Sequence, residues 1–94
     1  PQANSAPSPN QEEPLVISVD AQNNYYINVG DDDKAIKPLS TIADQVTKVL
    51  RVKPQTPVLV WGDTNVPYGI VVALMSRLQS AGAESVGLVT EPPR

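Results

Sequence analysis

Short apolar runs flank a helical pattern in the second half of the chain. Residues 58–61 (VLVW) are β-branched, aliphatic and aromatic, which is typical of a strand, and residues 62–65 (GDTN) form a turn. After Pro67, apolar residues recur at helical spacing, namely Ile70, Val71, Leu74, Met75 and Leu78. Gly82 is suited to end this helix, and residues 85–90 form another apolar run. The pattern therefore predicts a strand, a crossover helix and a second, parallel strand.

The first half of the chain predicts a hairpin. Residues 15–19 (LVISV) and 25–29 (YYINV) have strand-like composition and flank the polar segment 20–24, so we expect two antiparallel strands. In the second strand, the odd-numbered residues Tyr25, Ile27 and Val29 share one face. This alternation predicts a sheet that is buried mainly on one side.

A second helix is predicted between Pro38 and Pro54. Its apolar stripe consists of Leu39, Ile42, Val46, Val49 and Leu50. Ser40 or Thr41 is expected to cap its start, because residues 41–44 (TIAD) approximate a capping box. Asp44 and Lys48 are spaced for an ion pair along the helix.

These elements predict an α+β domain of two layers over residues 15–94. The order is β-β-α-β-α-β, with a four-stranded sheet and both helices on one face. Residues 35–37 are a candidate for a short additional edge strand. Residues 1–14 contain four prolines and no large apolar side chain, so we expect a flexible linker there.

The composition narrows the function classes. The 94 residues include no cysteine and no histidine, which removes disulfides, thiolate metal sites and the commonest general base. The net charge of −3 and the scattered basic residues argue against nucleic acid as a partner. No apolar run reaches membrane-spanning length. Because the sequence starts abruptly at Pro1, we expect a fragment of a longer protein whose targeting or anchoring segment is missing.

An acidic cluster and one further aspartate are candidates for chemistry. Asp31, Asp32 and Asp33 offer carboxylates to calcium, but the ligand spacing of an EF-hand loop is missing, so a solvated turn is favoured. Asp63 follows a strand, where α/β sheets place ligands, and a small enzyme using it is one hypothesis. A turn or helix-capping role for Asp63 is favoured, and no metal site or cofactor is predicted.

Several residues are candidates for contacts with other chains. Trp61 is expected to fill the core, with an interface anchor as the alternative. Tyr68 at the start of the second helix is a candidate interface residue. The last predicted strand could be an open edge that pairs with another copy or a partner peptide, and its candidate interface residues are Ser85, Val86, Leu88 and Thr90.

Three motifs carry a resemblance to a known family. They are residues 66–68 (VPY), the helix end at 78–83 (LQSAGA) and residues 86–92 (VGLVTEP). Together they resemble the C-terminal periplasmic domain of the ExbD/TolR family, and the likeness covers about residues 14–93. It is TolR-like more than ExbD-like.

The resemblance implies a subunit of a proton-motive-force-driven complex. It implies a single-pass inner-membrane protein of a Gram-negative bacterium, with residues 1–14 as a periplasmic linker and the remainder as a non-enzymatic homodimerising domain. The implied partners are a TolQ- or ExbB-like channel subunit, bound through a transmembrane helix outside this sequence, TolA or TonB, and peptidoglycan. The implied function is that of the Tol-Pal system in envelope integrity and cell division. The alternative is an ExbD subunit that docks a TonB segment and energises outer-membrane nutrient import.

Overall fold

Two helices cover one face of a four-stranded sheet in the computed structural model, which describes residues 13–29 and 34–90. The elements in chain order are β1 (Leu15–Val19), β2 (Tyr25–Ile27), α1 (Leu39–Val52), β3 (Val58–Gly62), α2 (Tyr68–Ser80) and β4 (Val86–Thr90). This confirms the predicted fold class and element order. Residues 1–12 of the linker expected over residues 1–14, and the aspartates 31–33 of the expected turn, lie outside the described residues.

The sheet is mixed, with the strand order β2-β1-β3-β4. β1 and β2 form the predicted antiparallel hairpin, whereas β1–β3 and β3–β4 are parallel pairs. Parallel neighbours require a crossover connection, and α1 and α2 lie in the two crossovers. As a consequence, β1 and β3 are central and β4 is at an edge.

The core lies between the sheet and the two helices. In β1 the odd-numbered residues are buried and the even-numbered ones are only half-buried. Ile17 pairs with Val60 of β3 and Leu15 with Val58, so these strands bury matching faces. The helices complete the core with Ile42, Val46, Leu50, Val71, Leu74 and Leu78.

A proline precedes each helix, and the predicted side-chain cap of α1 is wrong. α1 begins at Leu39, and its flanking residue is Pro38, whose carbonyl accepts a hydrogen bond of 3.1 Å from the Ile42 amide. Ser40 and Thr41 therefore lie inside the first turn, where their side chains are exposed and cap nothing. The physical reason is that Pro38 is extended (ψ 151°) and already sets the direction in which the chain enters the helix.

The end of α2 follows the prediction from Gly82. Gly82 has φ of 122°, in the region that favours glycine, and its amide donates to the Gln79 carbonyl at 3.1 Å. The Ala83 amide reaches back to the Leu78 carbonyl, also at 3.1 Å. These two bonds form a Schellman motif, and buried Ala83 lies against the core beside Leu78.

Of the smaller predictions, one is confirmed and two are confirmed only in part. Asp44 and Lys48 form the expected exposed ion pair at 3.3 Å. β2 ends at Ile27, two residues earlier than predicted, although Val29 still packs against the core. The expected strand at residues 35–37 is reduced to one bridge, in which the Lys37 amide donates to the Tyr25 carbonyl at 3.0 Å.

Candidate functional site

The free side of β4 is the first candidate surface. Within the described part of the chain, β4 pairs with β3 alone, from Val58↔Val86 to Gly62↔Thr90. An edge strand leaves half of its backbone amide and carbonyl groups directed away from the sheet, where another strand can bind them. Among the described residues the last strand is therefore an edge, as the sequence suggested.

The predicted interface residues do not form one cluster. Val86 is half-buried and Leu88 is 43% exposed, and both lie on the helix-covered side of β4, since they pair with Val58 and Val60. Ser85 is exposed just before the strand begins. Because β3 and β4 are parallel, Tyr68 and Thr90 lie toward the opposite end of β4 from Ser85. Tyr68 is 76% exposed, as an interface residue requires.

A second candidate surface is the sheet face that the helices leave uncovered, which we call the open face. Side-chain alternation assigns to it Val16, Ser18, Tyr26, Leu59, Trp61, Gly87 and Val89, with Asp20 and Asp63 just beyond β1 and β3. Trp61 is 43% exposed, so the expectation that it fills the core is wrong. It lies on the side of β3 that no helix covers.

One row of the open face crosses all four strands. Tyr26 pairs with Ser18, Ser18 with Trp61, and Trp61 with Val89. Side chains that are directly opposite on one face of a sheet are close enough to interact. The row therefore brings two aromatic residues, a hydroxyl and an aliphatic side chain onto one continuous surface.

Asp20 builds the turn between β1 and β2, next to this row. Its carboxylate accepts hydrogen bonds from the Gln22 amide (3.0 Å), the Asn24 amide (2.9 Å), the Asn24 side chain (3.3 Å) and the Tyr26 hydroxyl (2.7 Å). Asn23 in the same turn adopts φ of 64°, which asparagine tolerates. The sequence showed a polar turn here, but it gave no signal for the bond between Asp20 and Tyr26.

These bonds shift the pKa values of both partners. The Asn24 amide and then the Tyr26 hydroxyl lower the pKa of Asp20, since both stabilise the carboxylate, and they outweigh an opposing effect of burial. The same contact with Asp20 raises the pKa of Tyr26. Asp20 is therefore anionic and Tyr26 neutral across the physiological pH range.

Asp63 is placed as the structural interpretation predicts. Its Oδ1 accepts a hydrogen bond from the Asn65 amide at 2.9 Å, and its own amide donates to the Val19 carbonyl at 3.1 Å. The first contact forms a turn between β3 and α2, and the second extends the pairing of β3 with β1. One accepted bond leaves further lone pairs on the carboxylate for another donor.

A shallow depression joins the two carboxylates to the aromatic row. Its volume is about 220 Å³, and it is lined by Ser18, Val19, Asp20, Tyr26, Trp61 and Asp63. It lies where the neighbouring parallel strands β1 and β3 end, which is where open α/β sheets commonly bind ligands. Asp20 and Asp63 are its charged lining residues, so its potential is negative.

The described residues offer no group of three or more metal-ligating side chains. Over the same ranges, none of the helices has the length and apolar character needed to cross a bilayer. The geometry that remains is that of binding surfaces, namely an unpaired strand edge and an aromatic, acidic sheet face.

Comparison with known proteins gives a consistent result. The family model described as "Biopolymer transport protein ExbD/TolR" matches residues 1–93. The Tol-Pal system protein TolR of Pseudomonas aeruginosa is 42% identical over an alignment of 94 positions, which covers 93% of this chain and 64% of that protein. TolR of Escherichia coli K12 is 31% identical, with 93% and 61% covered. The biopolymer transport protein ExbD of Pseudomonas putida is 33% identical, with 95% and 60% covered.

The chain thus spans less than two thirds of the length of these relatives. The identity to the Pseudomonas aeruginosa TolR exceeds that to the Pseudomonas putida ExbD, 42% against 33%. The similarity is therefore to TolR more than to ExbD.

Proposed function

This chain belongs to the ExbD/TolR family, and on that premise we propose that it is the periplasmic dimerisation and partner-binding domain of a TolR-like subunit. The subunit belongs to a Tol-Pal complex of the inner membrane that uses the proton motive force to maintain envelope integrity and support cell division. Its role is non-enzymatic. Its partners are a second copy, a TolQ-like channel subunit bound through a transmembrane helix outside this sequence, TolA and peptidoglycan.

The observation that carries dimerisation is the unpaired edge of β4. β3 occupies one side of β4, and the described chain leaves its other side without a strand. A two-fold axis perpendicular to the sheet would pair β4 antiparallel with β4 of a second copy. The result is a continuous eight-stranded sheet in which both copies satisfy their edge groups.

Side-chain placement supports the same interface. Leu88 lies on the covered side of β4 and is still 43% exposed, so its apolar surface is incompletely buried by this chain alone. Tyr68, at the start of α2, is 76% exposed and therefore offers a large aromatic ring to a partner. Tyrosine is enriched among interface hot spots, and burial of the exposed part of Leu88 would remove apolar surface from water.

Sedimentation velocity of the 94-residue chain over a concentration series tests the dimer. We expect reversible dimerisation, and we expect Leu88→Lys to weaken it by at least about tenfold because a lysine would be desolvated beside the paired strands. Val72→Lys is the matched control, since Val72 is similarly exposed (44%) but belongs to α2 and not to β4. A chain that stays monomeric at millimolar concentration, or equal weakening by both substitutions, would contradict edge pairing.

The subunit assignment is tested with the full-length gene. We expect it to restore detergent resistance to cells lacking TolR and to co-purify with TolQ and TolA. We do not expect it to restore TonB-dependent uptake to cells lacking ExbD. The reverse pattern would favour the ExbD alternative, in which the edge of β4 takes an extended TonB segment, and the higher identity to a TolR disfavours that alternative.

A further inference from the structure

The chemical character of the side chains on the open face changes along the strands, from apolar to aromatic to acidic. The row near the start of β1, β3 and β4 is apolar, with Val16 paired to Leu59 and Leu59 paired to Gly87. The middle row is aromatic, with Tyr26 and Trp61 separated by Ser18. Beyond this row, at the ends of β1 and β3, lie Asp20 and Asp63, which line the same depression as Trp61.

The apolar part of this face is a continuous surface. A Cβ on Gly87 would lie 2.8 Å from Leu59 Cδ2, so the Leu59 side chain lies directly over the backbone of β4. Trp61 and Val89 extend this surface and are 43% and 37% exposed. A tryptophan left this exposed beside aliphatic neighbours is the kind of anchor that interfaces bury.

The charge of the face has one sign. Asp20 and Asp63 are its charged residues, and the described strands place no lysine or arginine on it. Asp20 already accepts four hydrogen bonds, so it contributes mainly its negative potential. Asp63 accepts one bond, from the Asn65 amide, and can still receive a cationic donor. A ligand that complements the face is therefore apolar at one end and cationic at the other.

We propose that the open face docks a segment of a partner protein in which a lysine or arginine adjoins aliphatic residues. The cation contacts Trp61 and the Asp63 carboxylate, while the aliphatic residues cover Leu59 and Val89. Attraction to an aromatic ring and to a carboxylate act together at such a position. Charge complementarity selects this occupant over a second copy, because two open faces in contact would bring carboxylates together without a cation from either face.

This inference rests on the proposed partner-binding function, but it concerns a different surface from the edge of β4. Edge pairing uses the backbone of β4 in the plane of the sheet, whereas the side chains of the open face project perpendicular to that plane. Dimerisation is measured by sedimentation and the Leu88→Lys variant. Docking is measured at Trp61, the single tryptophan in the chain, so that either result can fail alone.

The test is an NMR titration of the 94-residue chain with a capped peptide, acetyl-Arg-Val-Leu-Val-Leu-Arg-amide. Its control replaces both arginines with glutamate. We expect the arginine peptide to shift the Trp61 indole and the amides of Leu59, Asp63 and Val89. We expect Asp63→Asn to weaken its binding by about threefold, which lies within the range for solvent-exposed charge pairs, and we expect added salt to weaken it as well.

Asparagine at position 63 keeps the Oδ1 acceptor for the Asn65 amide, so the turn is preserved. Asp44→Asn is the matched control, because Asp44 is an exposed carboxylate on α1, and we expect it to leave peptide binding unchanged. Equal binding of the arginine and glutamate peptides, or shifts confined to β4 edge or helix residues, would overturn the proposal. So would concentration-dependent shifts at Trp61 without peptide, which would indicate a second copy. Shifts produced by a soluble glycan fragment but not by the arginine peptide would also overturn it.

Discussion

The hydroxyl of Thr47 links α1 to the end of α2. Its Oγ1 lies 3.0 Å from the Ala43 carbonyl within α1 and 3.0 Å from the Ala81 carbonyl, which caps the end of α2. A hydroxyl has one proton, so it is shared between the two carbonyls. The Ala43 carbonyl is part of the α1 helix, so the bond to Ala81 is the one that links elements.

Replacing Thr47 with valine keeps the shape and the β-branch but removes this donor. A hydrogen bond between neutral groups contributes about 0.5–1.5 kcal/mol net. Ala81 is half-buried, so water can partly replace the lost partner, and we expect the free energy of unfolding to fall by about 1 kcal/mol. For a domain of this size, that corresponds to a Tm lower by about 4–8 °C.

Thermal and urea denaturation followed by circular dichroism measure this change. Thr47→Ser keeps the hydroxyl, and Thr41→Val makes the same replacement at an exposed site in the same helix. We expect both controls to stay within about 0.5 kcal/mol of the original chain. If Thr47→Val were as stable as the original, the shared hydroxyl would contribute nothing. If Thr47→Ser were as unstable as Thr47→Val, the methyl group would contribute as much as the hydroxyl, and the stability at this site could not be assigned to the hydrogen bond alone.

Three further predictions concern the core, the helix end and the turn. Leu74→Ala should lower the free energy of unfolding by about 2–5 kcal/mol, because Leu74 is fully buried, whereas Val72→Ala at a 44% exposed site should lower it by about 0.5 kcal/mol at most. Gly82→Ala should lower the free energy of unfolding by about 1–2 kcal/mol, since φ of 122° is strained for alanine. Urea denaturation measures the effects of the core and the Gly82 substitutions. Asp20→Asn should destabilise the chain near neutral pH, because the amide cannot accept all four bonds. Since the folded pKa of Asp20 is lowered, its contribution is present above the unfolded pKa of about 3.8 and is lost as the pH falls through the folded value. The difference in Tm between Asp20→Asn and the original should therefore shrink in acid.

Each of the three predictions would be contradicted by one result. Equal losses for Leu74→Ala and Val72→Ala would mean that burial at α2 does not determine stability. An unchanged free energy of unfolding after Gly82→Ala would mean that α2 can end in another conformation. A Tm difference for Asp20→Asn that stays constant from pH 7 to about pH 2 would show that the charge of Asp20 is not responsible. Tyr26→Phe, which removes one donor, should give a smaller acid-dependent difference in the same direction.

Much of the fold could be predicted because its signals are local. The alternation in residues 15–19 and the helical spacing from Ile70 to Leu78 depend on the period of each element, so they identified the strands and helices directly. Gly82 was predictable for the same reason, since a glycine is needed where φ is positive. The cap of α1 was not, because Ser40 and Thr41 suit a cap equally well and Pro38 moved the helix start ahead of both.

The candidate surfaces depended on tertiary structure. The run VLVW at residues 58–61 is apolar at every position, so periodicity could not tell which side of β3 would be covered. Both helices pack on the side of Val58 and Val60, which leaves Leu59 and Trp61 on the open face. The sequence by itself determined which segments become strands and helices and, through its motifs, the family. Only the packing of α1 and α2 on one side of the sheet decided that Trp61 is exposed beside Asp63, because coverage depends on contacts between segments distant in sequence.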